Sequence, residues 1–384
     1  MNQRILLLAG EESGVLYAER LAERLKSAGV EIRGYADYGF RTADLAVFGF
    51  SAVLRKIFYF LRVARTMKRA MREWRPDAVV TVDYPGMNLK LAAYAKGLGI
   101  PAIHVVCPQV WAWHRGRIPK VAAALTELLC FFPFEPALFE GTGLAAKFIG
   151  HPLVKVVEGE AKRSTSTPQL SVSDPASRTV ALLPGSRIVE IERMLPRLLR
   201  AVALLVRGGK VQDPLRIAIP AANATAEREI RRIVAGFGDL PPIDIQSGDA
   251  RSLLRAADCA AVASGTATLE AALVRCPTVL VYAVSPMLAW FARRVITGVR
   301  HVGIINVVAE KCGFEPPMPE LLQEAFTPEA VAAQLEEWLA CEPARLAAKE
   351  RLDRALAHLR ADGEPLDLAA REILESLTVR RLGS

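Results

Sequence analysis

No Cys-x-x-Cys and no paired set of Cys/His ligand spacings occurs in the chain; its cysteines, at 107, 130, 259, 276, 312 and 341, stand singly among mostly apolar neighbours. A disulfide framework and a zinc site are therefore not expected, and no metal is assigned. GxxxxGK[ST] and GxGxxG are both missing, which argues against a nucleoside triphosphatase and a dinucleotide-dependent dehydrogenase. There is no Asp-x-Asp either, so any bound diphosphate must be neutralised by arginine and helix ends instead of a magnesium-holding carboxylate pair. Long apolar runs are scarce. The amino-terminal run Ile5–Ala9 is too short for the core of a signal peptide and leads into a glycine turn. The uncharged stretch Cys276–Ala292 is broken by Pro277 and Pro286 and falls short of the roughly 20 residues of a membrane span. No transmembrane segment is expected, and the reading is a cytoplasmic protein.

What remains is ample material for packed interiors. With 384 residues, 52% of them hydrophobic and 23% charged, and at roughly 150 residues per domain, two domains are expected. The formal charge of +8 suits an anionic partner: nucleic acid, a phosphorylated metabolite or an acidic membrane surface. Nucleic acid is set aside because no recognised module accompanies the charge. Short apolar runs alternate with helical patterns: Ile5–Ala9, Ala78–Val82, Ala102–Val106 and Leu128–Phe132, then Thr179–Leu183, Arg216–Ile219, Ile243–Gln246, Cys259–Ala263 and Thr278–Tyr282. Crossovers of that length imply parallel, doubly wound α/β sheets. The expected division is a first domain over 1–158, a polar linker over 159–178, a second domain over 179–343, and helices over 344–384 packing across both. Open parallel sheets bind ligands beyond the carboxyl ends of their strands, so a cleft between the two sheets is where chemistry is expected.

Two turns in the second half have phosphate-binding character. Thr179–Leu183 runs into Pro184-Gly185-Ser186-Arg187 and a helix, presenting backbone N–H groups, a positive helix end and the forked donor of Arg187. The alternative is an ordinary turn with Ser186 as helix N-cap. Cys259–Ala263 leads likewise into Ser264-Gly265-Thr266, where Gly265 permits close backbone approach; Glu270, one helical turn on, could accept from a ribose diol. In the first half, Gly10-Glu11-Glu12-Ser13-Gly14 closes the first strand. Asp83 follows Ala78–Val82, placed either as a general base or as a cap for the next helix. Cys107 to Arg115 offers Trp111, Trp113 and His114 as a sugar platform, with core filling as the alternative. Residues 54–75 combine eight basic side chains (Arg55, Lys56, Arg62, Arg65, Lys68, Arg69, Arg72 and Arg75) with one acid, Glu73, among large apolar ones, which fits an anionic lipid interface or a solvated helix with one core-facing stripe. Met287–Arg294 has similar character.

Taken in order, AGEESG at 9–14, LAVFGF at 45–50, DYPGMN at 83–88, PQVWAWHRGR at 108–117, FFPFE at 131–135, FIGHPL at 148–153, LLPGSRIVEIERMLP at 182–196, ASGTATLEAAL at 263–273 and PELLQ at 319–323 resemble the lipid-A-disaccharide synthase family. These are inverting glycosyltransferases of the GT-B type, with two Rossmann-like domains. The resemblance implies transfer of a diacylated glucosamine from UDP-2,3-diacylglucosamine to the 6-hydroxyl of 2,3-diacylglucosamine 1-phosphate, with no cofactor. It implies Asp83 and Arg187 as catalytic residues. Gly185, Ser186, Arg187, Ser264, Gly265, Thr266, Glu270 and Asn306 would hold the UDP sugar; Gly10, Glu11, Ser13, Gly14, Trp111 and His114 would hold the acceptor. Acylated, phosphorylated substrates also fit the basic apolar segment 54–75 and a peripheral place on the inner membrane, with a homo-oligomer possible. The chain departs from the family pattern at Val15, at residues 34–40 and at Ile304-Ile305-Asn306. A UDP-sugar transferase with another acceptor, a UDP-sugar epimerase and a non-catalytic lipid-surface protein stand as alternatives.

Overall fold

The computed structural model describes residues 3–10, 12–41, 57–163, 177–248 and 250–382. The chain divides into two compact units, Met1–Lys155 with Leu359–Ser384, and Val156–His358.

In the first unit β1 (Arg4–Ala9), α1 (Glu12–Ser27), β2 (Glu31–Arg33), α2 (Ile57–Trp74), β3 (Ala78–Val82), α3 (Pro85–Gly97), β4 (Ala102–Val105), α4 (Ile118–Ala124), β5 (Glu127–Cys130) and β6 (Ala145–Phe148) follow one another. The strands form one parallel sheet in the order β2-β1-β3-β4-β5-β6. Its central strands are apolar on both faces because helices cover both. Leu6, Leu8 and Val79 pack with Val63 and Met67 of α2 on one side, while Ile5 and Val80 pack with Leu21 of α1 on the other. Each such fully buried Ile or Leu contributes about 1.5–3 kcal/mol.

Helix α5 (Pro152–Arg163) begins in the first unit and ends in the second. There β7 (Arg178–Leu183), α6 (Ile188–Gly208), β8 (Leu215–Ala221), α7 (Ala224–Val234), β9 (Ile243–Ser247), α8 (Ala250–Ala256), β10 (Cys259–Ala263), α9 (Thr266–Leu273), β11 (Thr278–Tyr282), α10 (Pro286–Val295), α11 (Ile304–Cys312), β12 (Glu320–Leu322), α12 (Pro328–Ala340) and α13 (Glu342–Ala357) follow. This sheet is also wholly parallel, ordered β12-β11-β10-β7-β8-β9. The terminal helices divide between the units: α13 belongs to the second, whereas α14 (Pro365–Leu382) lays Ala369, Ala370, Ile373 and Leu377 into the α1 side of the first. Most of the expected linker falls outside the described residues, as do Glu11 and residues 45–56. No helix among the described residues is long and apolar enough to cross a membrane.

The sequence pattern misses β2, β6 and β12, and all three are edge strands. Three or four residues long and half exposed, they carry too little apolar surface to leave a periodic signature.

Candidate active site

In each sheet the first strand has neighbours reached by connections running in opposite directions: β1 lies between β2 and β3, and β7 between β8 and β10. That switch point opens a crevice at the carboxyl ends of the strands. Gly10 and Asp83 fall on the first crevice, and the two glycine turns, at 185–187 and 264–266, on the second.

In the first unit Ala9 pairs with Val82, and Val82 with Val105, so Gly10, Asp83 and Val106 lie side by side just past the strand ends. Asp83, Tyr84, Val106 and His114 all have left-handed backbone, with φ of 52°, 51°, 76° and 60°. Such conformations cost about 1–3 kcal/mol each for non-glycine residues and cluster where function demands them. Asp83 does not cap α3, whose N-cap is Tyr84 and whose first position is Pro85. Its carboxylate instead accepts from its neighbour's amide, Tyr84 N to Oδ1, at 2.8 Å. Burial raises the pKa of this carboxyl above the ordinary aspartate value, against the opposing effect of that hydrogen bond.

The turn is held from beneath by Asn88, the last residue of the DYPGMN motif, to which the sequence pattern assigns no site role. Fully buried, Asn88 donates through Nδ2 to the carbonyls of Asp83 (2.8 Å), Val82 (3.3 Å) and Leu8 (3.3 Å), and its Oδ1 accepts from the Tyr35 hydroxyl at 3.1 Å. One amide thus ties the ends of β1 and β3 together. Gly10 and Gly14 flank the same turn: a Cβ on Gly10 would run into the Tyr84 ring, and one on Gly14 would lie 3.2 Å from Asp83 Cβ. Their glycine identity is therefore explained by close approach to Asp83 and Tyr84. Ser13 sits in the first turn of α1, and Glu11 lies outside the described residues.

The loop after β4 corrects one expectation. Trp111 is buried, with its indole N–H donating to Glu135 Oε1 at 3.0 Å and its ring edge-on to Phe134, so it fills core instead of forming a sugar platform. Trp113 and His114 are the exposed pair, their rings 5.1 Å apart. Cys107, Cys130 and Glu135, all buried, bring donor atoms within 4.8 Å of one another, the one such group among the described residues close enough for a metal ion. Burial pushes the Glu135 carboxyl up to about 8, although it accepts from Phe132 N and the Trp111 indole. The neighbouring Cys130 thiol and burial hold the Cys107 thiol well above its usual range. These shifts favour a neutral, hydrogen-bonded cluster.

In the second unit the two glycine turns meet. Gly185, Ser186 and Arg187 after β7, and Ser264, Gly265 and Thr266 after β10, line one pocket of about 380 Å³ together with Glu190 and the end of β8. Gly185 (φ 113°) and Gly265 (φ 155°) have backbone that side chains rarely adopt. Helix α9 starts at Thr266 with Gly265 as N-cap and no side-chain cap, so its first amides and dipole face the pocket without a carboxylate in the first turn. Ser186 is not the N-cap of α6; Arg187 is. Glu190 Oε2 accepts from Arg187 N at 3.4 Å, and Glu190 Oε1 pairs with Arg187 Nη1 at 3.0 Å.

Glu270, half-buried on α9, and Asn306 are not among the residues lining this pocket. Asn306 is fully buried on α11, donating through Nδ2 to Met318 O and Glu320 Oε1, both at 2.8 Å, and accepting at Oδ1 from Met318 N at 3.1 Å. Its amide closes the approach to β12, so the direct sugar contact expected of it is not what this geometry provides. Helix α2 turns Val63, Met67, Ala70 and Met71 inward. Phe58, Ile57 and Leu61 stand exposed beside Arg62, Arg65 and Arg69, whereas Arg55 and Lys56 lie outside the described residues.

Comparison with known proteins places this architecture. The second unit's pocket and the first unit's carboxylate turn occur on a chain 35% identical to the lipid-A-disaccharide synthase of Syntrophus aciditrophicus, over 94% of each chain. Identity to the lipid-A-disaccharide synthase of Neisseria meningitidis serogroup C is 39%, over 86% of this chain and 84% of the other. In fold it is similar to the crystal structure of Acinetobacter baumannii MurG, with a TM-score of 0.56 at 15% identity over 97% of this chain and 99% of that one. The expected two-domain GT-B α/β fold is thereby met. Residues 5–365 match the model of the lipid-A-disaccharide synthetase family, and the chain belongs to that family of glycosyltransferases.

Proposed function

We propose that this glycosyltransferase joins UDP-2,3-diacylglucosamine to 2,3-diacylglucosamine 1-phosphate, giving the β-1,6-linked disaccharide 1-phosphate and UDP. The observation that carries the reading is that a partly buried carboxylate and a pocket lined by two glycine turns lie at the switch-point crevices of the two sheets. Asp83 takes the proton of the acceptor 6-hydroxyl as that oxygen attacks the anomeric carbon. The bond from that carbon to the UDP oxygen breaks, and its electron pair leaves with the diphosphate. Burial raises the pKa of the Asp83 carboxyl, and a carboxylate so raised is a stronger base than an ordinary aspartate. Backbone amides at Gly185 and Gly265, the start of α9 and the Arg187 fork meet the charge that develops on UDP. Glu270, one turn into α9, binds the ribose hydroxyls. These groups supply the positive charge that the scheme needs, so turnover should persist in chelator.

The test is to incubate purified protein with both substrates and excess chelator and to follow the disaccharide by mass spectrometry. Product requiring both substrates is expected. Consumption of the UDP sugar without acceptor would replace the proposal with an epimerase.

Gly10→Ala checks the first unit separately. Displacing Tyr84 moves the Asp83 turn, and a misplacement of about 1 Å at a reacting group can cost roughly 100-fold. The expected result in steady-state kinetics is a kcat loss of that order with calorimetric UDP affinity unchanged.

Acylated substrates also require a lipid surface, and α2 supplies exposed arginines next to Ile57, Phe58 and Leu61. Arg62→Glu combined with Arg65→Glu and Arg69→Glu should reduce flotation with anionic vesicles; unchanged flotation would remove α2 from this role.

A further inference from the structure

The second unit holds another cavity that the proposed reaction does not use. It measures about 800 Å³ and its lining includes Arg193, Arg197, Arg293, Arg294, Ser285 and Trp290. Two of the four arginines come from α6 and two from α10. Glu324 is the one carboxylate in the lining; it pairs with Arg293 at 2.8 Å, and both side chains are exposed. Arg197 lies with its guanidinium 5.2 Å from the Phe326 ring centre, and its Nη1 is buried with no hydrogen-bond partner among the described residues. An unsatisfied, buried cationic donor is costly unless an anion meets it.

The rim of this cavity is α10, and only Ala289 of its residues is buried. Met287 is 81% exposed, Trp290 59%, Phe291 57% and Leu288 50%. At 3.6 residues per turn these four side chains cover one broad face, with Ala289 on the opposite side. Arg294 lies 3.7 Å from the centre of the Trp290 ring, so its charge borders the apolar face. Four large side chains left in water on one short helix mark an interaction surface. Trp290 alone of the four also lines the cavity, on the Ala289 side of the helix, and so joins the apolar face to a strongly positive site; the pair of features selects an occupant that is both apolar and anionic.

We propose that this cavity takes the phosphate of an anionic bilayer phospholipid, with α10 lying in the acyl-chain boundary. Arg193, Arg197 and Arg294 meet the phosphate oxygens, and Trp290 and Phe291 sit among the first methylenes. This is a lipid contact of the second unit that shares no lining residue with the pocket at Gly185 and Gly265.

The test uses the full chain with vesicles of phosphatidylcholine alone or with added phosphatidylglycerol. Wild-type protein should prefer the anionic vesicles, and their addition should shift tryptophan emission to the blue. The Trp290→Phe variant must lose that shift, because the chain has five tryptophans and the change has to come from this one. Arg193→Gln with Arg294→Gln should cut the preference for anionic vesicles roughly 30-fold, from the usual worth of two basic residues at such a surface. Trp290→Ser with Phe291→Ser should weaken binding to both vesicle types, with circular dichroism confirming the fold. Turnover of detergent-dispersed substrates should be unchanged in all of these variants. Wild-type-like partitioning in both double variants would overturn the proposal. So would a loss of detergent turnover with partitioning intact, which would assign the cavity to a substrate phosphate, or lipid-free dimerisation abolished by the Trp290/Phe291 changes, which would assign α10 to a second copy.

Discussion

Asp83→Asn is expected to lower kcat by about 10²–10⁴, the usual worth of a positioned general base. The substitution is nearly isosteric and keeps the acceptor for Tyr84 N, which reaches Oδ1 at 2.8 Å. Its effect therefore reads out charge and basicity and leaves the turn intact. The pH dependence gives an independent check. Burial raises the carboxyl pKa in the folded protein, so the acidic limb of kcat/KM should lie above the ordinary aspartate range, with activity lost as pH falls through it. Linkage works the other way for stability: an acid raised on folding binds its proton more tightly in the native state. Its ionisation therefore costs stability as pH rises from the unfolded value through the folded one. At neutral pH wild-type Asp83 is a net burden on the fold, and Asp83→Asn should unfold at the same temperature or higher. A variant that loses both activity and melting temperature at pH 7 would show that Asp83 serves structure and is not the base.

Central strands and glycine turns are legible in the sequence; the directions of several side chains are not. Strands Ala78–Val82, Cys259–Ala263 and Thr278–Tyr282 coincide with their apolar runs because central parallel strands are buried on both faces and carry no polar alternation. The glycine turns at Gly185 and Gly265 could also be read, since each follows such a run and opens a helix. Asn88 could not. Its role depends on three carbonyls contributed by residues 8, 82 and 83, a convergence that exists only once β1 and β3 pair. Trp111 misled for a related reason: beside Trp113 and His114 it looks like part of a platform. Its burial is decided by Glu135, 24 residues away, which accepts its indole N–H. Asn306 carries the motif position, but its amide is turned inward by Met318 and Glu320. Motif spacing located the site to within a turn, whereas side-chain direction depended on partners distant in sequence.

Arg187→Ala should lower kcat by about 10²–10³, the cost of removing one stabiliser of charge that develops in the transition state. The fold should hardly notice. Arg187 has 61% of its side chain exposed and its ion pair is with Glu190, three residues along; surface pairs of this kind contribute about 0–1 kcal/mol. Its capping of α6 runs through backbone atoms that alanine retains: Arg187 O accepts from Glu190 N at 3.0 Å and Ile191 N at 2.9 Å. Unchanged melting temperature with collapsed turnover is thus the expected pattern, and wild-type turnover would remove Arg187 from the leaving-group site. Glu190 makes the prediction sharper. Its carboxylate lines the same pocket and holds the Arg187 guanidinium at 3.0 Å, so an arriving diphosphate must compete with it for that fork. Glu190→Gln weakens the competitor and removes a negative charge from the pocket, and it should tighten UDP measured by calorimetry. In the Glu190→Gln, Arg187→Ala double variant the part of that gain that comes from freeing the guanidinium should vanish, leaving only the part due to the lost repulsion. Arg187→Lys, which keeps the charge but not the planar fork, should fall between wild type and alanine. A lysine variant as slow as alanine would show that two-point hydrogen bonding, more than net charge, is what the departing diphosphate requires.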